Sequence, residues 1–137
     1  MRKINKLIVH CSATREGQDV TVETIRKWHV EGRGWSDIGY HFYIDIHGKI
    51  HKGRDIAKMG AHCKGYNRNS IGICYAGGVE QDGKTPADTR TFEQEEALLC
   101  VLRTLKAMYP DATIHSHRDF ANKACPSFDA TEEYKYL

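Results

Sequence analysis

The sequence predicts an α/β fold: a single-domain mixed β-sheet of about five strands flanked by α-helices. Three observations predict it. Short β-branched or aromatic runs alternate with segments whose apolar residues recur at helical spacing. The connections include both a hairpin and longer crossovers, the mark of a mixed sheet. A chain of 137 residues can bury one core of ordinary size but not two, so a single domain is assigned to 1–137. No internal repeat or linker composition interrupts it.

Lys6-Leu7-Ile8-Val9-His10-Cys11 is short, apolar and β-branched, and reads as a buried strand with His10 near its C-terminal end. Over Thr21 to Glu31, residues Val22, Ile25, Trp28 and His29 recur at helical spacing, with Thr21 as N-cap and Gly32 and Gly34 as the stop. Tyr40 to Ile46 alternates and is aromatic-rich, His47-Gly48 supplies a turn, and Lys49 to Lys52 returns as the second arm of a hairpin. Ser70 to Ala76 predicts another strand, and Gly77-Gly78 with the polar stretch Glu80 to Arg90 predicts a loop. Thr91 and Gln94 have the spacing of a capping box; the helix they open turns Ala97, Leu98, Val101, Leu102, Leu105 and Met108 inward and ends at Pro110. Ala112 to His117 predicts the last short strand, and Thr131 to Tyr136 a helical turn.

Apolar residues at 40% and charged residues at 28% give the balance of an ordinary globular chain, which excludes a disordered or fibrous protein. A formal charge of +2, with basic residues scattered among acidic ones, argues against nucleic-acid binding. No apolar run approaches the roughly 18 residues of a membrane span, and Met1 to Lys6 leads only into a short strand, so no signal peptide is predicted. Synthesis in the cytoplasm and a monomeric state are expected. Five cysteines without close pairing argue against a disulfide framework and a zinc ribbon. Cys74 and Cys100 sit in apolar patterns and read as small core residues, Cys11 as a packed thiol.

His10 and His117 close the first and last strands, and the loop that follows His117 carries Cys125. Two imidazoles and a thiolate suit Zn²⁺ in tetrahedral geometry, and three protein ligands leave a fourth position for water, the arrangement of a catalytic site. His10 and Ser12 share a strand face that Cys11 does not, whereas His115 and His117 share one, so spacing leaves those two equal as ligands. Pro126 biases Cys125 toward an extended conformation. In such a segment Lys123 leaves on the same side as Cys125, where an ammonium can stabilise an oxyanion; on spacing alone a solvated surface lysine is the favoured reading. Tyr40, sharing a strand face with Phe42 and Ile44, reads by itself as a core aromatic. Asn67 and Asn69 suit turns.

The chain resembles the zinc N-acetylmuramoyl-L-alanine amidases of the phage-lysozyme type, relatives of animal peptidoglycan-recognition proteins. The resemblance spans nearly the whole chain. It is carried by Ile8-Val9-His10-Cys11-Ser12-Ala13-Thr14, Gly39-Tyr40-His41-Phe42, Gly53-Arg54-Asp55, Gly65-Tyr66-Asn67-Arg68-Asn69-Ser70-Ile71-Gly72 and Lys123-Ala124-Cys125-Pro126-Ser127-Phe128-Asp129. It implies one Zn²⁺ per chain on His10, His117 and Cys125, which decides against His115. It also implies Tyr40 and Lys123 as catalytic residues, with Tyr40 acting in orientation or proton shuttling because an unperturbed phenol is a poor base at neutral pH. His62, Asn67 and Asn69 match the border of the groove for muramyl peptide. The implied activity is hydrolysis of the amide between N-acetylmuramic acid and L-alanine in peptidoglycan, on the bacterial cell wall after release or delivery. Alternatives are a non-catalytic peptidoglycan receptor, the fate of relatives without the cysteine, a thiol peptidase using Cys125, and a regulator that binds RNA polymerase as the phage relative does. Arg118 stands where the family has a second histidine, so the contacts around the ligands are expected to differ.

Overall fold

A computed structural model describes residues 2–137. In chain order its elements are β1 (Lys6–Cys11), β2 (Thr14–Arg15), α1 (Val22–Lys27), β3 (Phe42–Ile44), β4 (Ile50–Lys52), β5 (Ser70–Tyr75), β6 (Gly78–Val79), α2 (Phe92–Met108), β7 (Thr113–Ser116) and α3 (Ala130–Glu133). Five strands form one sheet in the order β4-β3-β5-β1-β7. β1 pairs in parallel with both β5 and β7, β3 runs parallel to β5, and only the edge strand β4 is antiparallel. The mixed α/β sheet that the sequence predicts is the observed one.

The core follows from strand alternation. Leu7, Val9 and Cys11 of β1 join Ile71, Ile73 and Tyr75 of β5 in a cluster that also holds Leu98, Leu102 and Leu105 of α2. That face of the sheet is sealed by α2. The opposite face carries a smaller cluster of Val20, Val22, Ile25, Ile38, Tyr43, Cys74 and Ala76. By the same alternation β1 turns Ile8 and His10 to this second face, and there the functional groups collect.

The capping box forms as predicted: Thr91 Oγ1 accepts from Gln94 N at 3.1 Å, and Gln94 Oε1 accepts from Thr91 N at 2.9 Å. The buried Gln94 amide also donates to Ala76 O at 2.9 Å, tying the start of α2 to the end of β5. Thr21 caps α1, but the α-helix ends at Lys27 and passes into a π-helical turn, Trp28–Gly32. Trp28, at the junction of the two, is 46% exposed and not part of the core. Cys100 and Met108 also correct the reading of the sequence: Cys100 is exposed because it falls outside the buried stripe of α2, and Met108, the last residue of the helix, is 52% exposed. β3 begins only at Phe42, so Tyr40 precedes the strand and packs with the α1-side cluster, whereas Phe42 and Ile44 meet the α2 side. β2 and β6 form a separate two-stranded parallel sheet; two-residue strands have no periodicity to read, and Gly77-Gly78 signals only a turn.

His41 locks the β3–β5 seam. Its Nδ1 accepts from Gly72 N at 3.0 Å and its Nε2 donates to Lys58 O at 2.9 Å. Burial holds this imidazole down at about 4, so it is neutral when folded and titrates near 6.5 when unfolded. Between these values the unfolded chain binds the extra proton. The contribution to stability is therefore complete above about pH 6.5 and is lost as pH falls toward about 4. Urea unfolding at pH 7.5 and 4.5 is expected to show a stability difference that shrinks by about 1–3 kcal/mol in His41→Asn; an unchanged difference would contradict the assignment.

Candidate metal centre

Parallel pairing puts the C-terminal ends of β1 and β7 on one edge of the sheet. His10 lies near the end of β1, and His117 opens the 3₁₀ turn His117–Asp119 directly after β7. Their ring centroids are 4.3 Å apart. The following loop folds back, with Arg118 N donating to Cys125 O at 2.8 Å, and delivers Cys125 to the same point. One nitrogen from each imidazole and Cys125 Sγ lie within 4.8 Å of one another. His115 is not part of the group: it bonds Thr113 Oγ1 at 2.7 Å and meets the Phe120 ring edge-on. The turn after β7, which no strand-alternation rule anticipates, brings His117 and not His115 beside His10 and Cys125.

These donors suit a cation. His10 is 1% exposed, and burial first, then the nearby imidazoles of His62 and His117 and the ammonium of Lys123, hold it well below the usual histidine range. Burial and Lys123 lower His117 in the same way. Both rings are therefore neutral near pH 7, the form in which an imidazole can bind a metal. His117 Nδ1 is buried with no hydrogen-bond partner, which ordinarily carries a desolvation cost of about 1–3 kcal/mol; a metal ion would offset it. A hydrogen bond with the Cys11 thiol, together with burial, pushes the Cys125 thiol up, so its thiolate needs a positive neighbour. Cys11 N donates to Cys125 Sγ at 3.2 Å, a bond that favours sulfur carrying negative charge. Cys125 Sγ and His10 Nδ1 are 3.9 Å apart, close to the ~3.6 Å that tetrahedral Zn²⁺ bond lengths require. The residues present fit zinc.

Around the cluster a groove of about 700 Å³ is lined by His62, Asn67, His117 and Lys123, with Arg33, Trp35 and Lys64 farther along. Lys123 is exposed on its rim. The Tyr40 ring lies 5.1 Å from that of His10. Burial, and then the thiols of Cys74, Cys125 and Cys11, raise its phenol well above the ordinary range, so Tyr40 keeps its proton at neutral pH and is able to donate it in a hydrogen bond. Asn67 Oδ1 accepts from both His62 N and Cys63 N at 2.9 Å, shaping the loop. Asn69 sits apart from the groove lining, with Nδ2 donating to Lys3 O at 2.7 Å. His62 is buried, and both its ring nitrogens are engaged within the protein, one by His10 Nε2 at 2.8 Å and the other by Ser70 Oγ at 3.2 Å.

The family model for N-acetylmuramoyl-L-alanine amidase matches residues 1–128. The endolysins of Enterobacteria phage T3 and Escherichia phage T7 are each 49% identical over 123 residues, covering 90% of this chain and 80% of theirs. Among solved structures, the N-acetylmuramoyl-L-alanine amidase LysC from Clostridium intestinale URNW aligns with a TM-score of 0.81 at 29% identity, over 96% of this chain and 82% of that one.

Two residues that support the centre were not singled out from the sequence. The Arg90 guanidinium, from the stretch read only as a polar loop, bonds Asp88, Glu133 and Tyr134 Oη and lies 3.5 Å from the Phe128 ring centroid. Tyr75, in a strand read as core, donates its hydroxyl to Pro126 O at 2.6 Å, directly after Cys125. Nothing local distinguishes either from a surface arginine or a core aromatic; each is defined by a distant partner. Tyr75→Phe leaves the buried Pro126 carbonyl unpaired and is expected to cost about 1–3 kcal/mol in urea unfolding, whereas a loss below about 0.5 kcal/mol would show that water replaces the bond.

Proposed function

This chain belongs to the N-acetylmuramoyl-L-alanine amidase family and hydrolyses peptidoglycan amides; from that premise we propose that it cuts between N-acetylmuramic acid and L-alanine as a monomer carrying one Zn²⁺. The observation that supports this most is the meeting of one ring nitrogen each from His10 and His117 with Cys125 Sγ beside an open groove. Zn²⁺ held by His10, His117 and Cys125 would supply Lewis acidity, polarising the scissile carbonyl and lowering the pKa of water toward about 7.

The remaining work falls to the chain's own groups. Lys123 reaches over the groove rim as an ammonium donor to the oxyanion that develops when the lactyl carbonyl is attacked. Tyr40, protonated and fixed against His10, orients the reacting oxygen by donating a hydrogen bond. Arg33, Lys64 and Lys123 give the groove lining a positive character, suited to the carboxylates of a muramyl peptide. His62 and Asn67 border that groove, and Asn69 steadies the segment beside it. Retention of Cys125 supports a hydrolase over a binding-only receptor. No helix among the described residues is long and apolar enough to cross a membrane, in keeping with action at the wall after release or delivery, as the name endolysin suggests for the phage relatives.

Digestion of defined muropeptides, read by mass, is expected to release intact stem peptides beginning with L-alanine; products cut at another bond would overturn the assignment. Chelation is expected to abolish the activity and added zinc to restore it, with Cys125→Ser inactive in both conditions. Lys123→Ala is expected to lower kcat about 10²–10³-fold with a much smaller change in KM, as for removal of one oxyanion donor. A change in KM alone would assign Lys123 to substrate binding.

A further inference from the structure

The His62 ring occupies a site prepared for it. Gly72, on β5, lies beneath: a Cβ there would come within 2.5 Å of the ring. Asn67 Oδ1 fixes the His62 backbone N–H at 2.9 Å. Ser70 is fully buried, His10 is 1% exposed and His62 is 8% exposed, so this set of polar groups has almost no access to water.

The direction of each hydrogen bond in the set is decided from one end. Ser70 Oγ lies 2.7 Å from Tyr66 O, a backbone carbonyl that can only accept, so the single hydroxyl proton is spent there. At 3.2 Å from His62 Nε2, Ser70 Oγ must then be the acceptor, which puts the His62 proton on Nε2. His62 Nδ1 is left with a lone pair, and His10 Nε2, 2.8 Å away, must donate to it. A neutral imidazole that carries its proton on Nε2 has a bare Nδ1. In His10 that atom faces Cys125 Sγ.

We propose that His62 is a positioning residue: with Ser70 and the Tyr66 carbonyl it forms a relay that fixes the tautomer and ring angle of His10, so that Nδ1 is presented ready to bind metal. This rests on the reading of His10 as a ligand. The relay gives His62 a role distinct from substrate contact, since both its nitrogens are committed inward. Groups of this kind, placed behind a ligand, change metal affinity about 10–100-fold when removed.

The test measures zinc affinity by chelator competition in the full chain and His10 tautomer by long-range ¹H–¹⁵N correlation in metal-free protein. Wild type is expected to show the His10 proton on Nε2. His62→Leu is expected to bind zinc 10–100-fold more weakly, with His62→Gln recovering part of the loss because its side-chain oxygen can accept from His10. Ser70→Ala, a small change that keeps the imidazole, is expected to weaken zinc binding and to let the His10 proton appear on both nitrogens. Wild-type protein with the His10 proton on Nδ1, or zinc affinity unchanged in both Ser70→Ala and a folded His62→Leu, would overturn the relay while leaving the metal site standing. Wild-type protein that holds no zinc would overturn the metal reading and the relay together.

Discussion

A water-poor imidazole at the end of β1, its bare nitrogen turned toward a thiol, is the constraint on which the rest of the site depends. His10 could not hold that orientation on a solvated loop. It holds it because β1 lies between two parallel neighbours, with Leu7, Val9 and Cys11 packed under α2 on the reverse face. The register is unforgiving: a slip of one residue would send His10 into the α2 core and Cys11 to the groove. Packing energy on one face thus sets the chemistry on the other.

One of the groups gathered there is costly near neutral pH: the buried imidazole nitrogen His117 Nδ1 has no hydrogen-bond partner. The neutral histidines weaken the fold only as pH falls below their ordinary range. Stability given up at one locus is common where function requires preorganisation. Among the described residues two non-glycines have positive φ, Ala13 at 55° and Ser127 at 69°; they lie close in sequence to His10 and Cys125, and such backbone strain tends to cluster at functional sites. Ser127 is fastened by its hydroxyl, which donates to Gly78 O at 2.7 Å. Tyr75 and Arg90 fasten the remainder of that segment from β5 and from the loop before α2.

Much of this was legible in the sequence wherever a local rule was decisive. The strand Lys6–Cys11, the Thr91–Gln94 capping box and the Thr21 cap each follow from a pattern of a few residues, and each forms. Patterns failed where tertiary packing overrode them. Trp28, where the α-helix passes into a π-helical turn, lies half-exposed, and the offset of Cys100 from the buried stripe of α2 leaves it in solvent. The site was legible as residue types, but spacing could not separate His115 from His117; the family resemblance favours His117, and the turn after β7 places it beside His10 and Cys125. His62 drew notice as a groove histidine, yet its partners, His10 and Ser70, lie on β1 and β5 and are joined to it only by the fold.

The central claim is that one divalent ion is shared by His10, His117 and Cys125, and X-ray absorption at the zinc edge of the reconstituted protein tests it most directly. The inner shell is expected to contain one sulfur at about 2.3 Å and two imidazole nitrogens at about 2.0–2.1 Å, completed by one further light atom. A shell of light atoms alone, with no sulfur scatterer, would contradict it.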